Sequence, residues 1–137
     1  MAGLAPKLPL TPERVHGYQS LTNVKEVVKQ NMKNLVLTSP GERIMDLDFG
    51  VGIRNYLFEM DTIMVREDIR SKVRQQVAKY LPFVELNNVF VSSPADSSEQ
   101  GASSLDFDSG LESNAIRVRI VYSIIPLGVN DVLDLSL

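Results

Sequence analysis

The chain has 137 residues, with 14 Lys and Arg against 17 Asp and Glu for a net charge of −3. Hydrophobic residues at 44% and charged residues at 23% suit one soluble globular domain and exclude disorder throughout. No Cys, no Trp and a single His exclude disulfides, thiolate sites and multi-His metal centres. The mild acidity gives no general field toward nucleic acid or anionic lipid, so neither is an expected partner, and no cofactor is expected.

Pro6, Pro9 and Pro12 recur at three-residue spacing in the first twenty residues. That spacing predicts an extended arm over 1–20, ahead of a single domain over 21–137. The start of the chain has no apolar run long enough for a signal peptide, and no segment approaches the roughly 20 apolar residues needed to span a bilayer. From Asn23 the period becomes helical. Val24, Val27, Val28, Met32, Leu35 and Val36 form one stripe, Lys25, Lys29 and Lys33 lie on another face, and Asn23 with Glu26 fits a cap. Pro40-Gly41 ends this helix.

Gly50 and Gly52 predict a tight turn, followed by a short helix around Ile53, Tyr56 and Leu57. A second long helix is expected over 62–80, with Val65, Ile69, Val73, Val77 and Tyr80 on one side and Pro82 beyond its end. Period-two alternation then predicts strands over 84–93 and 115–125. In the second, Ile116, Val118, Ile120, Tyr122 and Ile124 share a face opposite Arg117, Arg119 and Ser123. A last strand runs over 129–137. The stretch 93–113, rich in Ser, Gly and acids, reads as an exposed loop in a long hairpin. The expected fold is α+β: two long helices and a short helix packed on a small, mainly antiparallel three-stranded sheet.

Catalytic constellations are scarce. His16 lies in the Pro-rich arm, a poor scaffold for positioning a base against a serine. The FGVG run lacks the Lys-Ser/Thr of a phosphate loop, and Asp46 and Asp48 lack the remainder of a calcium loop. Glu42, Asp46, Asp48, Glu59 and Asp61 could supply a glycosidase-like carboxylate pair, but no Trp platform marks a sugar cleft. The bases on the second long helix are interleaved with Glu67 and Asp68 and read as a solvated face. A leucine-rich final strand at a sheet edge would recruit a partner strand, with only Asp131 and Asp134 to block it.

Residues 38–59, TSPGERIMDLDFGVGIRNYLFE, carry Gly41-Glu42-Arg43, Asp48-Phe49-Gly50 and Leu57-Phe58-Glu59 in order. Together with the succession of elements over 21–137, they resemble the baseplate wedge and sheath-initiator family of contractile tails. The resemblance implies a structural protein of a virion tail baseplate, assembled in the host cytoplasm. Its partners would be the sheath protein, wedge proteins and, through the arm, tube or wedge neighbours. It further implies that the C-terminal strands, with Ile116, Val118, Ile120, Val132, Leu133, Leu135 and Leu137, offer a sheet edge to sheath arms.

The motif residues would form a rigid turn-rich platform or wedge contact, with Arg43 and Arg54 tied down by acids such as Asp48 and Glu59. Where the family often carries Glu-Pro-Arg after the second helix, this chain has Leu81-Pro82-Phe83. A charged contact is replaced there by an apolar contact or by burial. The alternative function is a lysozyme-like glycan hydrolase acting on the cell wall during injection.

Overall fold

The computed structural model describes residues 3–14, 17–93 and 115–137. The acidic Ser-rich stretch, apart from Ser93, and His16 lie outside the described residues. Four two-residue strands come first: β1 (Ala5–Pro6), β2 (Pro12–Glu13), β3 (Gly17–Tyr18) and β4 (Ser20–Leu21). They are followed by helix α1 (Val24–Leu37), a 3-10 helix (Ile53–Phe58) and helix α2 (Ile63–Tyr80). Strands β5 (Val84–Ser92), β6 (Arg117–Ile124) and β7 (Val129–Ser136) complete the order.

Both long periodic segments fold as their patterns require. Asn23 caps α1 through a 3.0 Å bond from the Lys25 amide, and Val28, Met32, Leu35 and Val36 are buried. Val24, assigned to the same stripe by spacing, sits in the first turn and is exposed, because the stripe meets the core only one turn later. Thr62 caps α2, which buries Ile69, Val73 and Val77. These side chains pack in one core with Val84, Val89 and Val91 of β5, Val118, Ile120, Tyr122 and Ile124 of β6, and Leu133 and Leu135 of β7. The helices therefore cover one face of the β5-β6-β7 sheet. The other face, with Phe90, Arg119, Val132 and Asp134, is exposed.

The expected description of two long helices and one short helix on a single sheet needs correction. Among the described residues there are three sheets: the three-stranded β5-β6-β7 and two antiparallel ribbons, β1-β4 and β2-β3. The short helix is a six-residue 3-10 helix. The prolines do not keep the arm single-stranded, because they occupy positions where the ribbon needs no donor. The Leu4 and Lys7 amides flank Pro6 and donate to the Leu21 and Gln19 carbonyls at 2.8 and 2.9 Å. The β1-β4 ribbon also straddles the expected boundary between arm and domain.

Gln30 of α1 clips the arm down with both ends of its amide. Its Nε2 donates to the Pro6 carbonyl at 3.0 Å, and its Oε1 accepts from the Leu8 amide at 2.9 Å. The short helix is 3-10 because six residues between Gly52 and Glu59 leave room for only a turn or two. Asn55 and Glu59 bond back three residues, to Gly52 and Tyr56.

Candidate functional site

Residues 38–52 wrap the C-terminal end of α1 and use its orphan carbonyls. The Thr38 amide and hydroxyl donate to the Asn34 carbonyl at 3.0 and 2.7 Å. The Val51 amide donates to Leu35 at 3.0 Å, and that of Gly52 to Thr38 at 2.9 Å. Gly50 is obligatory at its position. Its φ is +109°, and a Cβ there would lie 2.2 Å from the Thr38 carbonyl oxygen. The loop is pinned to α2 by Gln76, whose Oε1 accepts from the Gly50 amide at 3.0 Å while its Nε2 donates to the Asp48 carbonyl at 2.9 Å. Gln76 was invisible to motif reading, since a polar residue on a charged helix carries no pattern of its own.

Phe49 is buried in this loop between two partners. Its ring meets Tyr80 edge-on at 4.8 Å, and the Arg43 guanidinium lies 3.6 Å from its centroid. The Tyr80 hydroxyl donates to Asp46 at 2.7 Å, which ties the loop to the end of α2 a second time. Burial, then that hydrogen bond, raises the Tyr80 phenol above its ordinary range. The expectation that acids hold Arg43 and Arg54 is therefore corrected. Arg43 is held by an aromatic face, Asp48 faces Lys79 at 3.7 Å, and Arg54 makes no ion pair among the described residues. Glu42 turns inward on its own loop, where its carboxylate accepts from the Ser39 amide at 3.0 Å. Gly41, at φ +91°, donates to the Leu47 carbonyl at 2.8 Å.

The second half of the motif faces outward. Tyr56 is buried and anchors the 3-10 helix on α2: its hydroxyl donates to Asp68 at 2.5 Å and accepts from Lys72, which also faces Asp68 at 3.1 Å. The Tyr56 bond, then Lys72, holds Asp68 below the usual carboxylate range. Leu57 is half-buried, whereas Phe58 is 94% exposed and Glu59 is exposed. Met60, Ile63 and Met64 continue this apolar surface. Ile44 and Met45 form another at the tip of the first loop, 91% and 97% exposed. Of Leu81-Pro82-Phe83, Leu81 joins the core, Pro82 is exposed, and Phe83 is partly exposed while its carbonyl accepts from the Ile125 amide at 3.1 Å.

The sheet order is β5-β6-β7, so β6 lies in the centre with both ladders occupied. Ile116, Val118 and Ile120, expected at a recruiting edge, are thus not edge residues, and Val118 and Ile120 are fully buried. A hairpin with one further strand on the side of its first strand necessarily buries its middle member. The two edges are β5 and β7. Ile116 and Leu137 exchange both backbone bonds at 3.0 Å. Stepping by two along this unbulged antiparallel ladder turns the amides and carbonyls of Asn130, Val132, Asp134 and Ser136 outward. Leu133 and Leu135 point into the core, Leu137 packs against it, and Val132 sits half-open on the outer face.

A cleft of ≈ 440 Å³ opens between the 57–62 segment, α2 and the adjoining ends of β5 and β6. Glu59 and Asp61 line it; Glu42, Asp46 and Asp48 do not. Asp61 is engaged by Arg66 at 2.7 and 2.5 Å, and this hydrogen bonding holds its carboxyl below the ordinary range. A glycosidase acid needs the opposite shift. Among the described residues no three His, Cys, Asp or Glu side chains converge on a metal position.

No curated protein matches the chain significantly. Among solved structures, it resembles a chain of the anti-feeding prophage baseplate, determined by cryo-electron microscopy with sixfold symmetry. That match has a TM-score of 0.65 at 22% identity and covers 88% of this chain and 84% of the other. It also resembles a Geobacter sulfurreducens protein provisionally named a tail lysozyme, with a TM-score of 0.64 at 21% identity, covering 87% and 94% of the two chains. At these identities the likeness establishes the fold. The family model described as baseplate wedge protein gp25 matches residues 22–125, from just before α1 to the end of β6. The chain therefore belongs to the gp25 baseplate wedge family, and its place is a tail baseplate.

Proposed function

We propose that this chain joins the baseplate wedge to the contractile sheath and starts sheath assembly by accepting a sheath arm as an additional strand on β7. The observation that carries this reading is the outer side of β7: a regular edge strand whose Asn130, Asp134 and Ser136 amides face away from β6 and have no backbone partner among the described residues. Strand addition draws affinity from such main-chain groups. The exposed Phe58, Met60, Ile44 and Met45 side chains supply apolar surface for wedge neighbours, and the clipped arm, with Leu4, Leu8, Leu10 and Tyr18 outward, supplies surface for tube or wedge contacts.

Deleting residues 129–137 is a poor test, because it removes Leu133 and Leu135 from the core. Ser136→Pro is better, since it deletes one outward donor and leaves the internal ladder intact. Capture of the sheath subunit from the same locus should fall by about tenfold or more while the circular dichroism spectrum is unchanged. Undiminished capture would move the sheath site away from β7. Absence of capture by the unaltered protein would overturn the initiator role.

The hydrolase alternative has less support. Its carboxylates are divided between a capped loop residue, Glu42, and a cleft where Asp61 is locked to Arg66. Cell-wall lysis that disappears in Glu59→Gln would reinstate it.

A further inference from the structure

The two edges of the three-stranded sheet are not equally open. Along β5 the register shifts between Leu86 and Asn88, and the outward amide of Val89 donates to the Asn88 side-chain oxygen at 2.9 Å. The bulge and this internal cap break β5 into short lengths that cannot template a continuous strand. Along β7 the ladder is regular, but one of its outward amides is also taken. Val132 donates to Asp131 Oδ1 at 2.9 Å.

Asp131 is not a loose side chain that an arriving strand can brush aside. Its Oδ2 accepts from the Tyr122 hydroxyl at 3.2 Å, and Lys25 at the start of α1 stands 3.5 Å from Oδ1. The carboxylate is mostly buried. Burial opposes its ionisation, but the Val132 amide and Lys29, Lys25 and Tyr122 outweigh this and keep it below the usual range. Asn130 lies on one side of this cap, and Asp134 and Ser136 lie on the other, their outward amides without a partner among the described residues.

We propose that Asp131 acts as a stop on the β7 edge, confining an added strand to residues 133–137 and so fixing its register. The inference rests on the strand-addition reading of β7. A strand lying along Asp134 and Ser136 finds matched donors and acceptors at every second residue, and the next donor in line, Val132, is already satisfied internally. Passing it means breaking a charge-assisted bond and leaving a buried carboxylate short of a partner. The β5 edge, capped and bulged, is closed to the same strand.

Backbone amide exchange of the full chain, free and bound to the sheath subunit, tests this. In the free protein the Val132 amide should exchange about tenfold more slowly than Asp134 and Ser136. That protection should be lost in Asp131→Ala and kept in Asp131→Asn, which retains the acceptor without the charge. Equal exchange at the three positions overturns the cap. In the complex, Asp134 and Ser136 should gain protection while Asn130 does not, and in Asp131→Ala protection should spread through Val132 to Asn130. Protection of Asn130 in the unaltered complex overturns the stop alone. Capture of the sheath subunit without any protection at Asp134 and Ser136 overturns the strand-addition reading, and the stop with it.

Discussion

Residues 49–56 and 58–64 lie next to one another in the chain, and both are rich in apolar side chains, yet they have opposite fates. In the first, Phe49, Val51, Ile53 and Tyr56 are buried and bound to both helices. In the second, Phe58, Met60, Ile63 and Met64 are each more than four-fifths exposed. The first segment holds the fold together; the second adds nothing to this chain's own core. A surface that tolerates so much exposed apolar area suits a component made to be covered by neighbours. The family's motif therefore has an inward part, from Phe49 to Tyr56, and outward tips at Ile44-Met45 and at Phe58.

Substitutions can break or sharpen that contrast. The largest effect belongs to Gly50→Ala, which forces a Cβ into the Thr38 carbonyl at a positive φ. It should cost about 3–5 kcal/mol in urea unfolding, and an unchanged midpoint would mean that the 38–52 wrap is not what holds the loop. Phe49→Ala should cost about 3–5 kcal/mol for the lost aromatic core and the stranded Arg43 guanidinium, measured in the same way.

Gln76→Ala ranks below both. It leaves the part-buried Gly50 amide without its acceptor, for about 1–3 kcal/mol, and amide exchange in residues 41–52 should rise while that of β6 stays slow. The smallest effect on stability is Phe58→Ala, within about 0.5 kcal/mol, because the ring touches little of its own chain. Its readout is assembly: co-purification with wedge proteins should weaken although the protein is as stable as before. If Phe58→Ala destabilised the fold as much as Phe49→Ala, the division between the two segments would collapse.

Much of the secondary structure was legible because it rests on local periodicity. The cap at Asn23, the buried stripe Val28-Met32-Leu35-Val36 and the alternation Val118-Ile120-Tyr122-Ile124 each follow from spacing and side-chain chemistry within one segment. The motif at 41–59 was legible as a unit, but the roles of its residues were not. The sequence suggests a carboxylate for Arg43, which meets an aromatic ring instead, since the choice depends on which side chains the 38–52 wrap brings within reach. The arm's ribbons are not legible locally, because three prolines look like a polyproline segment until their partner strand is known.

From the linear chain alone follow the positions of α1, α2 and the three long strands, the need for glycine at a turn near residue 50, and the family. The rest was settled by packing: β6 at the centre and β7 at the edge, Gln30 and Gln76 as clips, Asp131 over the Val132 amide, and Phe58 outside while Tyr56 is inside. The reason is one of range. Helix and strand patterns are written in neighbours two to four residues apart, whereas an edge, a clip or an exposed tip is defined by contacts between residues far apart in sequence, whose pairing no local period encodes.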